Sequence, residues 1–203
     1  MADKLRLALF GGTFNPIHNG HIHLALEWHQ QIGFDKILLI PTNLPPHKEA
    51  HDLASNEDRL AMCRLVAKRH PIFEVSDLEC RTGGVSYTVD TVEAMHRLYP
   101  DAVLYWLVGS DMLLTFDQWY RYRDILRGAT LLAGARTAGE YESLSCKADQ
   151  LCRDGGEILV RDIPPIDLSS TEIRQRVKCG EDISGLTDPA VAEYIRENGL
   201  YRS

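Results

Sequence analysis

The feature that most constrains this chain lies near its N-terminus, where an apolar run breaks at two glycines before a helix begins. Residues 5–21 read LRLALFGGTFNPIHNGH. This order predicts a buried strand over Leu5–Phe10, a turn at Gly11 and Gly12, and a helix over His21–Ile32 that ends at Gly33. A strand, a glycine turn and a helix N-terminus in succession are a common way to hold a phosphate group.

Two histidines mark the start of that helix. His18 and His21 are three positions apart, so both imidazoles point to one side of the first turn. There they could donate to phosphate oxygens as negative charge develops in a transition state. A metal-binding pair is more often spaced at i and i+4 and needs a third ligand. The spacing therefore favours phosphate chemistry, and we predict no protein metal site.

Composition and charge restrict the classes of partner. The 203 residues carry a net charge of −7, which argues against sequence-independent binding to nucleic acid. No apolar stretch approaches the roughly 20 residues that span a bilayer, so we expect no membrane segment. The five cysteines are scattered and odd in number, which favours reduced thiols in a cytoplasmic protein. We expect a single domain over residues 1–203, helical in its C-terminal portion from about residue 169.

Strand-like and helix-like segments alternate along most of the chain, which predicts an α/β fold with a parallel sheet. Further strands are predicted at Lys36–Pro41, Phe73–Val75, Val103–Val108, Thr130–Ala133 and Ile158–Val160. Further helices are predicted at 56–68 with Ser55 and Asp58 as a capping box, at 89–98, at 169–178 and from Pro189. The long polar loop 42–54 is a candidate for a moving lid, and the polar segment 137–156 is expected to be a surface excursion that is partly helical.

A second motif stands far along the chain, where residues 168–174 read LSSTEIR. Ser169 and Glu172 have the spacing of a capping box, which by itself indicates only a well-formed helix start. The same helix end offers N–H groups and the hydroxyls of Ser169, Ser170 and Thr171, with Arg174 one turn further on as a phosphate-binding fork. Together with the first motif, this pattern favours a second phosphate contact.

These two motifs, GGTFNPIHNGH and SSTEIR, resemble the signatures of the nucleotidyltransferase superfamily. Five more segments, in order along the whole chain, resemble the bacterial nicotinate-nucleotide adenylyltransferase family: PPHK at 45–48, SYTVDT at 86–91, GSD at 109–111, FDQW at 116–119 and GLYR at 199–202. Two positions depart from that family: Asn15 stands where aspartate is frequent, and Arg136-Thr137 stands where Arg-Pro is common.

The resemblance implies a Rossmann-like α/β fold with helices on both faces of a parallel sheet, and a transfer of the adenylyl group of ATP to nicotinate mononucleotide. It implies that His18, His21 and Arg174 act on the ATP phosphates. The residues expected to contact ATP are Gly11, Gly12, Thr13, Phe14, Gly109, Asp111, Ser169, Ser170 and Thr171. A Mg²⁺ ion is expected to be held mainly by phosphates and water.

The acceptor side of the reaction is expected to involve Lys48, Tyr87, Thr88 and Trp119. Thr88 is a natural helix N-cap, and the N–H groups beside it could hold the nicotinate carboxylate. Trp119 lies in a polar context and could stack on a pyridinium ring, whereas Trp106, inside a predicted strand, is expected in the core. Lys48 could reach the mononucleotide phosphate.

Two other functions stay open at this point. One is a sister adenylyl- or cytidylyltransferase, such as a pantetheine-phosphate adenylyltransferase, which would share the ATP half of the site. The other is a non-catalytic nucleotide sensor, which would have no need of the histidine pair. The sequence also leaves open whether copies of the chain form a homo-oligomer, and how strongly nicotinate is preferred over nicotinamide mononucleotide.

Overall fold

A computed structural model describes residues 4–44, 53–135, 137–164 and 166–202 of the chain. Its strands are β1 (Arg6–Gly12), β2 (Lys36–Pro41), β3 (Phe73–Val75), β4 (Val103–Val108), β5 (Thr130–Ala135) and β6 (Ile158–Asp162). Its helices are α1 (Asn19–Ile32), α2 (Asn56–Arg69), α3 (Leu78–Thr82), α4 (Thr88–Leu98), α5 (Ser110–Leu114), α6 (Tyr122–Gly128), α7 (Ala138–Arg153), α8 (Ser170–Lys178) and α9 (Pro189–Glu197). Every predicted strand is therefore present.

The six strands form one sheet in the order β3-β2-β1-β4-β5-β6. Strand β1 is parallel to β4, β4 to β5, and β5 to β6. The strand order reverses between β1 and β4, and ligands of open α/β sheets bind outside the carboxyl ends of the strands at such a reversal. The predicted Rossmann-like class and the helical C-terminal segment are confirmed.

Helix boundaries follow local capping chemistry where that chemistry is present. The Ser55 side chain accepts a hydrogen bond from the Asp58 N–H, and Ser169 accepts one from the Glu172 N–H, as the capping boxes predict. Asp188 caps α9 through the N–H of Ala190, with Pro189 as the first helical residue. Helix α1 begins at Asn19, two residues before the predicted start, and its end at Gly33 is as predicted, with a φ of 73°.

One compact unit contains Met1–Gly11, Leu24–Leu38 and Tyr87–Pro165. Helix α7 packs against β5 and β6 there, with Leu144 and Leu151 fully buried. The predicted helical part of residues 137–156 is confirmed, but the prediction of a surface excursion is wrong. Leu144 and Leu151 lie two helical turns apart and give this polar helix a buried stripe. Trp106 is buried, as predicted.

The second compact unit contains Gly12–His23, Leu39–Ser86 and Ile166–Ser203. Helix α2 packs against β3 and α9, and its buried face includes Met62, Cys63 and Val66. No helix among the described residues is long and apolar enough to cross a membrane.

Candidate active site

The two histidines of the first motif lie side by side at the N-terminus of α1. Their ring centroids are 3.7 Å apart, with 32° between the ring planes. The backbone N–H of His18 donates to Nδ1 of His21 at 3.2 Å. A neutral imidazole that accepts at Nδ1 carries its proton on Nε2, so Nε2 of His21 is the hydrogen-bond donor of this ring. The helix start therefore presents an oriented N–H donor.

His18 is almost completely buried, and burial lowers its pKa to about 4. Its imidazole is therefore neutral at pH 7. Nδ1 of His18 has no hydrogen-bond partner among the described residues. A buried polar atom without a partner costs stability, and a ligand that accepts from or donates to Nδ1 would remove that cost.

Gly20 and Phe14 fix how closely the two imidazoles can be approached. A Cβ at Gly20 would lie 3.1 Å from both Cε1 and Nδ1 of His18, which is tighter than ordinary contact. Phe14 has a φ of 48°, and its buried ring meets His21 edge-on with centroids 5.1 Å apart. The ring also lies against Gly12, where a Cβ would come within 3.0 Å of it. A side chain at Gly12 or Gly20 would therefore displace the Phe14 or the His18 ring by a few tenths of an ångström.

Arg174 contacts the same loop from α8. Its Nη1 donates to the carbonyl oxygen of Asn15 at 2.8 Å, and its Nη2 donates to Oγ1 of Thr171 at 3.3 Å. Ser170 Oγ donates to the carbonyl oxygen of Pro16 at 2.9 Å. Guanidinium has five N–H donors, so these two contacts leave three for an anion. Arg174 and the loop before His18 are brought together.

The hydroxyls of the second motif are largely engaged by the protein itself. Ser169 caps α8, Ser170 holds Pro16, and Thr171 accepts from Arg174. The N–H groups of Ser170 and Thr171 occupy the first two helical positions, where no intrahelical acceptor exists. These backbone donors, rather than the hydroxyls, are what the helix end offers to a phosphate.

Gly11, Gly109 and Asp111 lie at the carboxyl ends of β1 and β4. A Cβ at Gly11 would come within 2.8 Å of the Trp106 ring, so packing against this indole requires a glycine there. Gly109 precedes the short helix α5, and a Cβ on it would lie 2.9 Å from Oδ1 of Asp111. The register that pairs Leu9 with Trp106 brings these strand ends to one edge of the sheet.

Tyr87 and Thr88 stand at the start of α4. Tyr87 is the N-cap residue, and Thr88 is the first helical residue, so the prediction of Thr88 as N-cap is wrong by one position. No side chain caps this helix, which leaves the N–H groups of Thr88 and Val89 without intrahelical acceptors. The exposed Tyr87 ring packs on Tyr120, with centroids 4.8 Å apart.

Trp119 follows a single 3₁₀ turn, Phe116–Gln118, and is half-buried. One side of its indole is tilted against the buried Phe116 ring, with centroids 4.7 Å and planes 31° apart. An aromatic ring held on one side and partly exposed is able to stack on a planar ligand. Lys48 and most of the predicted lid lie outside the described residues.

Sequence reasoning missed two residues that organise this region. Arg59 is fully buried and donates to the carbonyl oxygen of Thr13 at 2.8 Å. Tyr201 donates to Oδ1 of Asn15 at 2.8 Å, and burial raises the pKa of its phenol. Arg59 lies on the buried face of α2 with Cys63 and Val66, spaced at i, i+4 and i+7. An arginine in register with apolar residues is a signal that could have identified it.

Comparisons with known proteins identify the family and the fold of this chain. Residues 9–176 match the cytidylyltransferase-like family. A probable nicotinate-nucleotide adenylyltransferase of Clostridium tetani is 35% identical over 196 residues, covering 96% of this chain and 98% of that protein. One of Neisseria meningitidis serogroup B is 38% identical over 200 residues, covering 97% and 98%. The solved Plasmodium falciparum nicotinic acid mononucleotide adenylyltransferase complexed with NaAD shares the fold, with a TM-score of 0.79 at 19% identity over 97% of both chains.

Proposed function

The chain belongs to the nicotinate-nucleotide adenylyltransferases of the cytidylyltransferase-like family, and we propose that it transfers the adenylyl group of ATP to nicotinate mononucleotide. The products would be deamido-NAD and pyrophosphate, a step of NAD biosynthesis. The structural observation that carries this proposal is the oriented imidazole pair at the N-terminus of α1, next to Arg174 in the same compact unit.

The reaction is an in-line attack by the mononucleotide phosphate on the α-phosphorus of ATP. A new P–O bond forms as the bond to pyrophosphate breaks. The attacking phosphate is largely ionised at pH 7, so no general base and no covalent enzyme intermediate are needed. Catalysis then comes from positioning and from neutralising charge on the α-phosphate and the leaving pyrophosphate.

His21 would donate from Nε2–H to an α-phosphate oxygen. This donor is already oriented by the bond between the His18 N–H and Nδ1 of His21, so little reorganisation is needed when charge develops. His18, neutral and with an unpartnered buried Nδ1, would contact the same triphosphate through ring hydrogen bonds without adding charge. The two imidazoles therefore have different roles despite their similar positions.

The β- and γ-phosphates would be held by Arg174 and the start of α8. Arg174 is fixed in place by its bond to the carbonyl oxygen of Asn15 and retains further N–H donors. The Ser170 and Thr171 N–H groups and the positive end of the helix dipole add to this anion site. Gly11, Gly12, Thr13 and Phe14 would line the nucleotide side, with Gly109 and Asp111 at the neighbouring strand end.

The acceptor would bind through Tyr87, Thr88, Trp119 and Lys48. The open N–H groups at the start of α4 suit the ring carboxylate that nicotinate carries and nicotinamide lacks. The half-exposed face of Trp119 suits a pyridinium ring. Together these features favour nicotinate mononucleotide as the acceptor.

Mg²⁺ is proposed as the metal that accompanies ATP. Among residues 4–44, 53–135, 137–164 and 166–202, no three His, Cys, Asp or Glu side chains are grouped to hold a metal ion. The donors around the predicted triphosphate site are N–H groups, which suit an anion, so the ion would be held by phosphate oxygens and water. When bound, it would neutralise part of the triphosphate charge.

Pyrophosphate release with ATP and Mg²⁺ tests the proposal. Nicotinate mononucleotide should support strong turnover, with nicotinamide mononucleotide and phosphopantetheine as parallel acceptors. Turnover on phosphopantetheine alone would favour a sister transferase and remove the roles of Thr88 and Trp119. Binding of ATP with no pyrophosphate release from any acceptor would favour a nucleotide sensor.

Two broader statements belong to the same proposal. The chain would act as one nucleotidyltransferase domain, because the family match at residues 9–176 runs through both compact units. It would work in the cytoplasm, where its five unpaired cysteines would stay reduced. Whether copies of the chain form a homo-oligomer is left open by the sequence, and size-exclusion chromatography with light scattering would measure it.

A further inference from the structure

Arg59 is a buried cation whose hydrogen-bond acceptors, within residues 4–44 and 53–135, are neutral oxygens. Its side chain is fully buried in α2. The acceptors are the carbonyl oxygens of Thr13 at 2.8 Å, Thr42 at 2.7 Å, Ala54 at 3.2 Å and Asn43 at 3.4 Å, together with Oδ1 of Asn56. Burial lowers the pKa of this guanidinium, yet an arginine stays protonated in proteins. Burying a charge costs free energy, and the hydrogen bonds to these oxygens offset part of that cost.

These acceptors come from three separate segments. Thr13 belongs to the loop that follows β1, Thr42 and Asn43 follow β2, and Ala54 and Asn56 lie at the start of α2. The second and third segments flank residues 45–52 on either side. Ala54 is held twice, since its N–H also donates to Oδ1 of Asn15 at 3.0 Å. One guanidinium therefore ties the histidine-bearing loop to both ends of the predicted lid.

The contact with Thr13 leads directly to the candidate catalytic histidine. The next residue, Phe14, has a φ of 48°, a conformation that is costly for a residue with a large side chain. Such a conformation persists only where the surroundings over-determine it, and the Arg59 bond to the Thr13 carbonyl fixes the peptide that enters Phe14. The Phe14 ring then packs edge-on against His21. Arg59, Thr13, Phe14 and His21 form a continuous chain of contacts.

We propose that Arg59 is a positioning residue for adenylyl transfer: by holding the Thr13 carbonyl, it keeps the Phe14 ring against His21 and so orients the His21 imidazole. This inference rests on the proposed function for its kinetic consequence, but the orientation of the ring can be measured without turnover. In this role Arg59 acts through Thr13 and Phe14 and does not itself contact a substrate.

Arg59→Lys is the most informative variant, because it keeps the charge but loses the planar fork that reaches several carbonyls at once. We expect kcat to fall by about tenfold to 10²-fold, the scale of a small misplacement of a reacting group, with little change in KM for ATP. Long-range ¹H–¹⁵N spectra should show the His21 ring leaving its Nε2–H tautomer, with the signals assigned by their loss in His21→Gln. Arg59→Met removes charge and fork together and should lower kcat further if it folds.

Arg69→Met is the matched control on the same helix. Arg69 is the last residue of α2, ten positions beyond Arg59, and pairs with the buried carboxylate of Asp188 at 3.4 Å. The Arg69→Met variant should have a lower free energy of unfolding, with kcat and the His21 signals at wild-type values. The proposal is overturned if Arg59→Lys keeps wild-type kcat, or if it loses stability like the control while the His21 signals stay unchanged. Absent turnover in the wild-type protein would refute the proposed function, and the His21 spectra would still decide the role of Arg59.

Discussion

Gly20→Ala should separate the stability of this enzyme from its activity. Gly20 is the second residue of α1, and its φ lies outside the left-handed region, so alanine suits the backbone there. Alanine is favoured over glycine by up to about 1 kcal/mol inside a helix. Backbone preference alone therefore predicts a small gain in the free energy of unfolding.

The new methyl group meets the imidazole of His18. It would lie 3.1 Å from Cε1 and Nδ1 of that ring, so the ring must give by a few tenths of an ångström. Overpacking of this kind costs about 1 kcal/mol or more where the neighbours cannot move, which offsets the helix preference. The free energy of unfolding should change by no more than about 1 kcal/mol in either direction.

The effect on catalysis should be larger, because the ring that moves is part of the candidate site. The His18 ring lies 3.7 Å from that of His21, centroid to centroid, so a displacement is passed from one to the other. A misplacement of about 1 Å can cost about 10²-fold in rate, and a few tenths of an ångström should cost about tenfold. That loss corresponds to about 1.4 kcal/mol in the activation free energy.

Gly139→Ala provides the matched control. Gly139 is also the second residue of its helix, α7, but it is exposed and a Cβ there would meet nothing within 4 Å. The Gly139→Ala substitution should raise the free energy of unfolding by up to about 1 kcal/mol and leave kcat unchanged. Urea unfolding and pyrophosphate release measure the two quantities for both variants. Wild-type kcat in Gly20→Ala would refute the reasoning, since the His18 ring could then move without consequence.

Three further results are expected. His21→Ala should lower kcat by at least about 10²-fold, the scale of losing one transition-state donor; pyrophosphate release at a near wild-type rate would contradict that role. Trp119→Ala should raise KM for nicotinate mononucleotide more than KM for ATP, because the indole is anchored on Phe116 by one side only; equal increases would argue against stacking. Burial lowers the pKa of His18 to about 4 from 6.5, so the unfolded chain takes up a proton first as the pH falls. The free energy of unfolding should then decrease from pH 6.5 towards pH 4 by up to about 3 kcal/mol. Urea titrations of the wild type and His18→Gln should differ in this slope, and identical slopes would contradict it.

The sequence predicted the elements whose signals are local. Ser55 and Ser169 each cap a helix by accepting a hydrogen bond from the N–H three residues further on. Both partners of such a cap lie within one turn of the sequence. The apolar run at Val103–Val108 needs only its own composition to identify a buried strand. Local signals are weaker where a side-chain cap is absent. Helix α4 begins without one, and the sequence predicts its N-cap at Thr88, one position after the actual N-cap, Tyr87.

The sequence by itself determined that a strand, a glycine turn and a paired-histidine helix start would follow one another as one motif, because those residues are neighbours along the chain. Only the tertiary structure decided that the His18 ring is neutral and what holds the loop. His18 becomes neutral because folding removes it from water. Arg59 reaches Thr13 across 46 positions and Tyr201 reaches Asn15 across 186. Such contacts follow from packing of distant segments: the spacing in α2 indicates that Arg59 is buried, but not which oxygens it reaches.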